Sequence, residues 1–222
     1  MKTKMRAIIT LLIFGSFLAC AVQKRSVGGF VSCEVSISYP DGAPVACGLV
    51  TFASSAASAS LTYRLGSSGQ GVVSGLRPNR DYVASVSSSA AAAVPAQHVS
   101  IPSGTVGALH FQVGFPGAAA LSSAANDPEH GAIIGVVRTN NCEPISGITV
   151  QLSGPPLHTG QTAVSDGSGI VAFAGLAPGQ YYELYAMSDR GETGYLPMRR
   201  KGISVQSAQT RVVPLLLSKA GK

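Results

Sequence analysis

From residue 28 onward the chain is a succession of short apolar runs cut by Gly, Pro, Asn and Ser. In the clearest run Tyr182, Leu184 and Ala186 alternate with Tyr181, Glu183 and Tyr185. A period of two places alternate side chains on opposite faces of a strand, so the first set is expected to face a core and the second to face outward. Nothing beyond the N-terminus shows the apolar stripe with charged flanks that marks an amphipathic helix. The pattern predicts strands over 132–139, near 147–153 and 160–165, over 170–173 and 180–187, near 202–206 and over 210–217. Asn140 to Pro144, Asp166 to Gly169 and Gly175 to Gly179 read as the turns between them.

The same plan occurs one hundred residues earlier. Gly75-Leu76-Arg77-Pro78-Asn79 lines up with Gly175-Leu176-Ala177-Pro178-Gly179, and Tyr82 with Tyr182. Ser68-Gly69 matches Ser168-Gly169, while Pro44, Val50 and Thr62 match Pro144, Val150 and Thr162. These matches fall mostly at turn and core-pattern positions, where backbone geometry constrains the residue. Tyr82, Ala84 and Val86 are therefore also expected to face inward. Strands at such spacing, repeated twice, predict an all-β chain of two tandem seven-stranded Ig-like sandwiches. The expected boundaries are 28–115 and 131–218. Residues 116–130, Ala/Ser-rich and ending in Asn126-Asp127-Pro128-Glu129-His130, read as an exposed, flexible linker.

Residues 1–21 read as a secretory leader: a basic start with Lys2, Lys4 and Arg6, then an apolar run from Ala7 to Leu18. That run is short for a membrane span, which needs about 20 residues. Two processing routes are open. Ala19-Cys20-Ala21 suits cleavage after Ala21 and release, whereas Phe17-Leu18-Ala19-Cys20 resembles a bacterial lipobox whose cysteine becomes acylated. Export would make the protein periplasmic, secreted or attached to the outer membrane, with membrane contact only through a lipid on Cys20.

An exported chain meets an oxidising compartment, which bears on its other cysteines. Cys33 and Cys47 sit symmetrically about Pro40. If their strands form a hairpin, a disulfide joins them, closing a loop worth about 3 kcal/mol; if the strands belong to different sheets, the sulfurs lie apart. Under the first reading Cys142 is an odd thiol in a turn.

Charged residues make up only 12% of the chain, against about 25% in an average soluble protein. Of the formal net charge of +6, Lys2, Lys4 and Arg6 belong to the leader, and the rest is spread among both signs. No basic face emerges, which argues against a nucleic-acid partner. Arg199-Arg200-Lys201 is the only later cationic run. With Tyr181, Tyr185 and Tyr195, an aromatic patch suited to a partner or a glycan, it forms the candidate surface for a protein partner in the cell envelope.

Catalytic, metal and cofactor patterns do not emerge. His98, His110, His130 and His158 form no H-E-x-x-H or H-x-H, and no C-x-x-C exists. Asp127, Glu129 and His130 are adjacent linker residues, and Asp166-Gly167-Ser168-Gly169 offers one carboxylate where calcium wants six to eight oxygens. There is no G-x-S-x-G, and the Gly66–Gly71 stretch precedes no helix that would cradle phosphate.

The second repeat resembles the carboxypeptidase regulatory-like, prealbumin-like β-sandwich domains, and in pattern the Cna protein B-type repeats. The resemblance is carried by Gly135-Val136-Val137, by Pro144-Ile145-Ser146-Gly147-Ile148-Thr149-Val150-Gln151-Leu152, by Ser165 to Gly169, by Phe173, and by Gly175 to Gly179 with Tyr182 and Leu184. It covers about 131–217; the first repeat keeps fewer landmarks. It implies an accessory domain without peptidase activity, serving a binding role or acting as a spacer or stalk in a larger envelope assembly. Some B-type repeats carry a Lys–Asn isopeptide bond. Here the first strand of the repeat has Arg138 in place of Lys and the last strand has no Asn, and a guanidinium stays protonated, so no such bond is expected.

Overall fold

The computed structural model describes residues 29–54, 60–88, 94–102, 108–116, 128–155, 157, 159–187 and 194–220. The leader, with Cys20, and most of the expected linker lie outside these residues.

The described residues form strands and no helix. The first seven strands are β1 (Val31–Ser38), β2 (Leu49–Ser54), β3 (Ser60–Arg64), β4 (Gln70–Leu76), β5 (Arg80–Ser87), β6 (Gln97–Ile101) and β7 (Leu109–Gln112). The next seven are β8 (Gly131–Thr139), β9 (Thr149–Ser153), β10 (Gln161–Val164), β11 (Ile170–Leu176), β12 (Gly179–Met187), β13 (Met198–Val205) and β14 (Thr210–Leu217). In the first domain a three-stranded sheet β4-β1-β7 faces a four-stranded sheet β3-β2-β5-β6; in the second, β11-β8-β14 faces β10-β9-β12-β13. Each strand thus has a counterpart in the same place in the other domain. The chain is two tandem all-β sandwiches of seven strands each.

Register carries the repeat down to single residues. Val50 opposes Val86 and Phe52 opposes Ala84, as Val150 opposes Ala186 and Leu152 opposes Leu184. All eight are buried, as the period-two reading of β5 and β12 requires. The Gly-Leu-x-Pro corner is tied down alike in both copies: the Tyr82 hydroxyl accepts from Arg77 N–H (2.9 Å), and the Tyr182 hydroxyl donates to Ala177 C=O (2.7 Å). Gly69 and Gly169 hold φ of +65° and +74°. A Cβ there would lie 2.7 Å from Ile37 O and 2.3 Å from Val137 O, so glycine is required on both counts. Their carbonyls accept from Ile37 and Val137 N–H, at 2.8 and 2.6 Å.

β13 begins at Met198, earlier than the pattern near 202–206 suggested. Its early half, Met198 to Lys201, is largely exposed, so hydrophobic alternation could not reveal it.

The two domains differ on one face. Strand β1 alternates, with Ser32, Glu34, Ser36 and Ser38 turned from the core, whereas all nine residues of β8 are buried. The outward residues Ala132, Ile134 and Val136, with Ile170 and Val212, join the apolar cluster of the first domain. The first domain therefore rests on the outer face of β11-β8-β14, and its core extends onto that face, while the second core lies on the inner side of the same sheet. Pro116 is buried and His130 C=O accepts from Ala208 N–H (2.9 Å), so both ends of the expected linker contact folded residues.

Candidate functional site

The junction between the sandwiches is built by the corner of the first domain, Tyr39 to Cys47. Asp41 sits at its tip with a side chain only 1% exposed. Its Oδ1 accepts from Ala43 N–H at 3.1 Å, which shapes the corner, while Oδ2 accepts from Val212 N–H at 2.8 Å. Arg211 stands 3.8 Å from the same oxygen and donates to Asp41 C=O at 3.4 Å. A carboxylate buried this deeply is tolerable only when paired and hydrogen-bonded, and the second domain supplies both conditions.

Behind Asp41, Tyr39 and Arg138 are each 3% exposed. Burial pushes the Tyr39 phenol up to about 12, against the opposing pull of the Arg138 cation. Burial likewise lowers the Arg138 pKa, countered by Tyr39 and reinforced by the like charge of Arg64. Arg138 donates to Cys142 C=O at 3.1 Å, and Arg64 reaches across to Asn141 C=O at 3.3 Å.

A covalent link completes the junction. Cys47 and Cys142 form a disulfide with Cα atoms 5.5 Å apart. This corrects the expected Cys33–Cys47 bridge and gives Cys142 a partner. The reason is topological: β1 pairs with β4 and β7, not with β2, and Cys33 opposes Val73 with its side chain in the core. Burial raises the Cys33 thiol to about 11. Cys47, by contrast, ends the corner and faces the second domain.

Both bridging cysteines have left-handed backbone, φ +65° at Cys47 and +74° at Cys142. In the repeat alignment Cys47 stands where the second domain has Gly147, and Cys142 where the first has Gly42; those glycines have φ of +81° and +80°. Each domain has thus put a cysteine at a position whose sister keeps the glycine that the turn favours.

The predicted partner surface is partly assembled. Tyr185 and Arg199 oppose one another across β12 and β13, with the guanidinium 4.6 Å from the ring centroid. Glu183 joins them, 3.1 Å from Arg199 and 3.7 Å from Lys201. Tyr181 sits one register step away in a bulge, with φ +80° and 68% exposure. Arg200 is exposed but opposes Leu184. Tyr195 is separate: it bridges to Lys219 and packs against the second core. Among the described residues no group of three or more His, Cys, Asp or Glu could hold a metal ion.

Sequence reasoning missed the junction, although two signals marked it. The run Ala132-Ile133-Ile134-Gly135-Val136-Val137 does not alternate, which is the mark of a strand buried on both faces. Reading Cys47 against Gly147 and Cys142 against Gly42 would have singled out the pair.

No family profile and no curated protein matches the chain. Among solved structures it is similar to the Bacillus anthracis TIE protein, at 9% identity and TM-score 0.34, over 86% of this chain and 34% of that one. It is also similar to the shaft pilin SpaA of Lactobacillus rhamnosus GG, at 10% identity and TM-score 0.32, over 87% of this chain and 99% of that one. A third similarity is to BcpA, the major pilin subunit of Bacillus cereus, at 10% identity and TM-score 0.33, over 86% and 100%. The chain spans about a third (34%) of the TIE protein's length. At such scores the superpositions carry no argument; the fold stands on the strand order and register above.

Proposed function

We propose that this chain is a non-catalytic, exported surface protein whose two carboxypeptidase regulatory-like sandwiches act as one stiff spacer or stalk unit of a bacterial envelope assembly. The observation that carries this reading is the junction. An apolar sheet face, a buried Asp41 pairing and the Cys47–Cys142 bridge tie together domains that a tether alone would leave free. Stiffness is of use to a spacer and of none to beads on a string. The disulfide also supports export, since such bonds persist in oxidising compartments. The leader at residues 1–21 supports the same destination, with lipidation at Cys20 or release by cleavage as its two outcomes.

Small-angle scattering on the mature protein tests the spacer reading. A single rigid two-domain envelope is expected. A profile that needs an ensemble of independently oriented domains overturns it. Intact mass of the native protein reports processing at Cys20 in the same sample.

A second reading, an accessory module that binds a partner, is favoured by the Tyr185–Arg199 stack beside Glu183 and Lys201 on an exposed sheet face. Charge reversal at Arg199 and Lys201 would abolish capture of an envelope protein if this face is the docking surface.

A further inference from the structure

The outer face of the three-stranded sheet exists in this chain in two chemical versions. In the second domain Val136 pairs with Ile170 on one side and Pro214 on the other, and Ile134 lies on the same face. This version is apolar and covered by a protein domain. In the first domain the matching row reads Gln70, Ser36, His110, from the pairings Ser36–Gln70 and Ser36–His110, and Glu34 replaces Ile134. This version is polar and, among the described residues, forms an open groove. Two adjoining cavities of about 340 and 440 Å³ share Ser36 and Gln70 in their walls. The size falls in the range of about 300–1,000 Å³ usual for small-ligand sites.

The groove is also ordered from within. His110 uses both ring nitrogens on β1: Nδ1 lies 3.0 Å from Ser36 Oγ and Nε2 lies 3.2 Å from Ser38 Oγ. These two contacts hold the ring against the strand. Each hydroxyl keeps further hydrogen-bonding capacity, and Gln70 and Gln112 add amides that both donate and accept. Among the described residues neither cavity wall includes a Lys or Arg, and the one carboxylate there, Glu34, disfavours an anion. Val72, 62% exposed, supplies an apolar patch beside Glu34.

We propose that this groove of the first domain binds a neutral polyhydroxylated ligand, an oligosaccharide. Sugar hydroxyls both donate and accept, which matches the Ser hydroxyls and Gln amides, and the C–H face of a pyranose suits Val72. A protein partner is disfavoured by internal comparison, because the same face built to receive a protein domain carries Ile134, Val136 and Ile170. The inference is independent of the spacer reading, which concerns the junction.

The test is a ¹H–¹⁵N titration of the oxidised mature chain with maltohexaose, cellohexaose and chitohexaose, beside an oligogalacturonate of similar length. At least one neutral hexasaccharide should shift the amides of Ser36, Gln70 and His110 and leave those of β8–β14 unmoved, with the acidic oligomer weaker. Ser36→Ala with His110→Ala removes two exposed hydrogen-bonding groups and should weaken binding about tenfold without changing the rest of the spectrum. Gln70→Ala serves as the second variant. No shift with any neutral sugar at 10-fold molar excess and above, shifts confined to the second domain, preference for the acidic oligomer, or unchanged binding in both variants would each overturn the proposal.

Discussion

Replacing the two bridging cysteines separates the covalent effect of the disulfide from the backbone strain that accompanies it. The bridge spans 95 residues in sequence, which in the chain-entropy model corresponds to about 4.7 kcal/mol on concerted unfolding of the pair. Cys47→Ala with Cys142→Ala loses that term and keeps two side chains at φ +65° and +74°. Cys47→Gly with Cys142→Gly loses the same term but relieves about 1–2 kcal/mol of left-handed strain per site, offset by about 0.5–1 kcal/mol each in glycine's chain entropy. The glycine pair should therefore fall short of the oxidised parent by roughly 3 kcal/mol and the alanine pair by roughly 4–5. At about 2–4 °C per kcal/mol for a chain of this size, thermal unfolding followed by circular dichroism resolves the two. Reduced parent should behave like the alanine pair. If the alanine pair equals or exceeds the glycine pair, the left-handed geometry at these positions is not what distinguishes them and the reasoning fails.

Three further outcomes follow from the junction and the cores. Asp41→Ala should cost about 2–3 kcal/mol, because the Val212 N–H loses its buried acceptor and Arg211 its partner; hydrogen exchange at Val212 should accelerate more than at Leu215, which lies in the second core. Tyr182→Phe removes the 2.7 Å bond to Ala177 C=O and should cost about 1 kcal/mol in denaturant unfolding, with β12 otherwise unchanged. Stability should fall at high pH: burial raises Cys33 from 9.0 to about 11 and Tyr39 from 10.0 to about 12. The folded state then holds protons that the unfolded chain has released, so this stabilisation is whole below pH 9 and is lost between 9 and 12. A denaturant midpoint flat from pH 8 to 11.5 would contradict the burial of both groups.

The strands were readable because each buries one face. Tyr182, Leu184 and Ala186 alternate with polar residues, and Tyr82, Ala84 and Val86 repeat the pattern, so period and turn glycines sufficed to place β5 and β12. The early part of β13 escaped because Arg199-Arg200-Lys201 faces solvent and no apolar residue marks the period. The disulfide escaped because spacing measures distance along the chain, and Cys33 and Cys47 are near in sequence but belong to opposite sides of a sandwich. Of the candidate partner surface, the β12 and β13 residues come together through antiparallel register, while Tyr195 falls elsewhere because the segment before β13 turns it against the second core.

Local alternation and turn residues by themselves determined that this protein is two copies of one all-β plan, since strand formation depends on neighbours a few positions apart. Tertiary structure alone decided that the copies are joined rather than strung together, that Cys47 meets Cys142, and that one sheet face is covered by a domain while, among the described residues, its twin lies open. Those outcomes depend on which surfaces meet across one hundred residues of chain, and burial of a second strand face yields its energy only when the other domain arrives to exclude water.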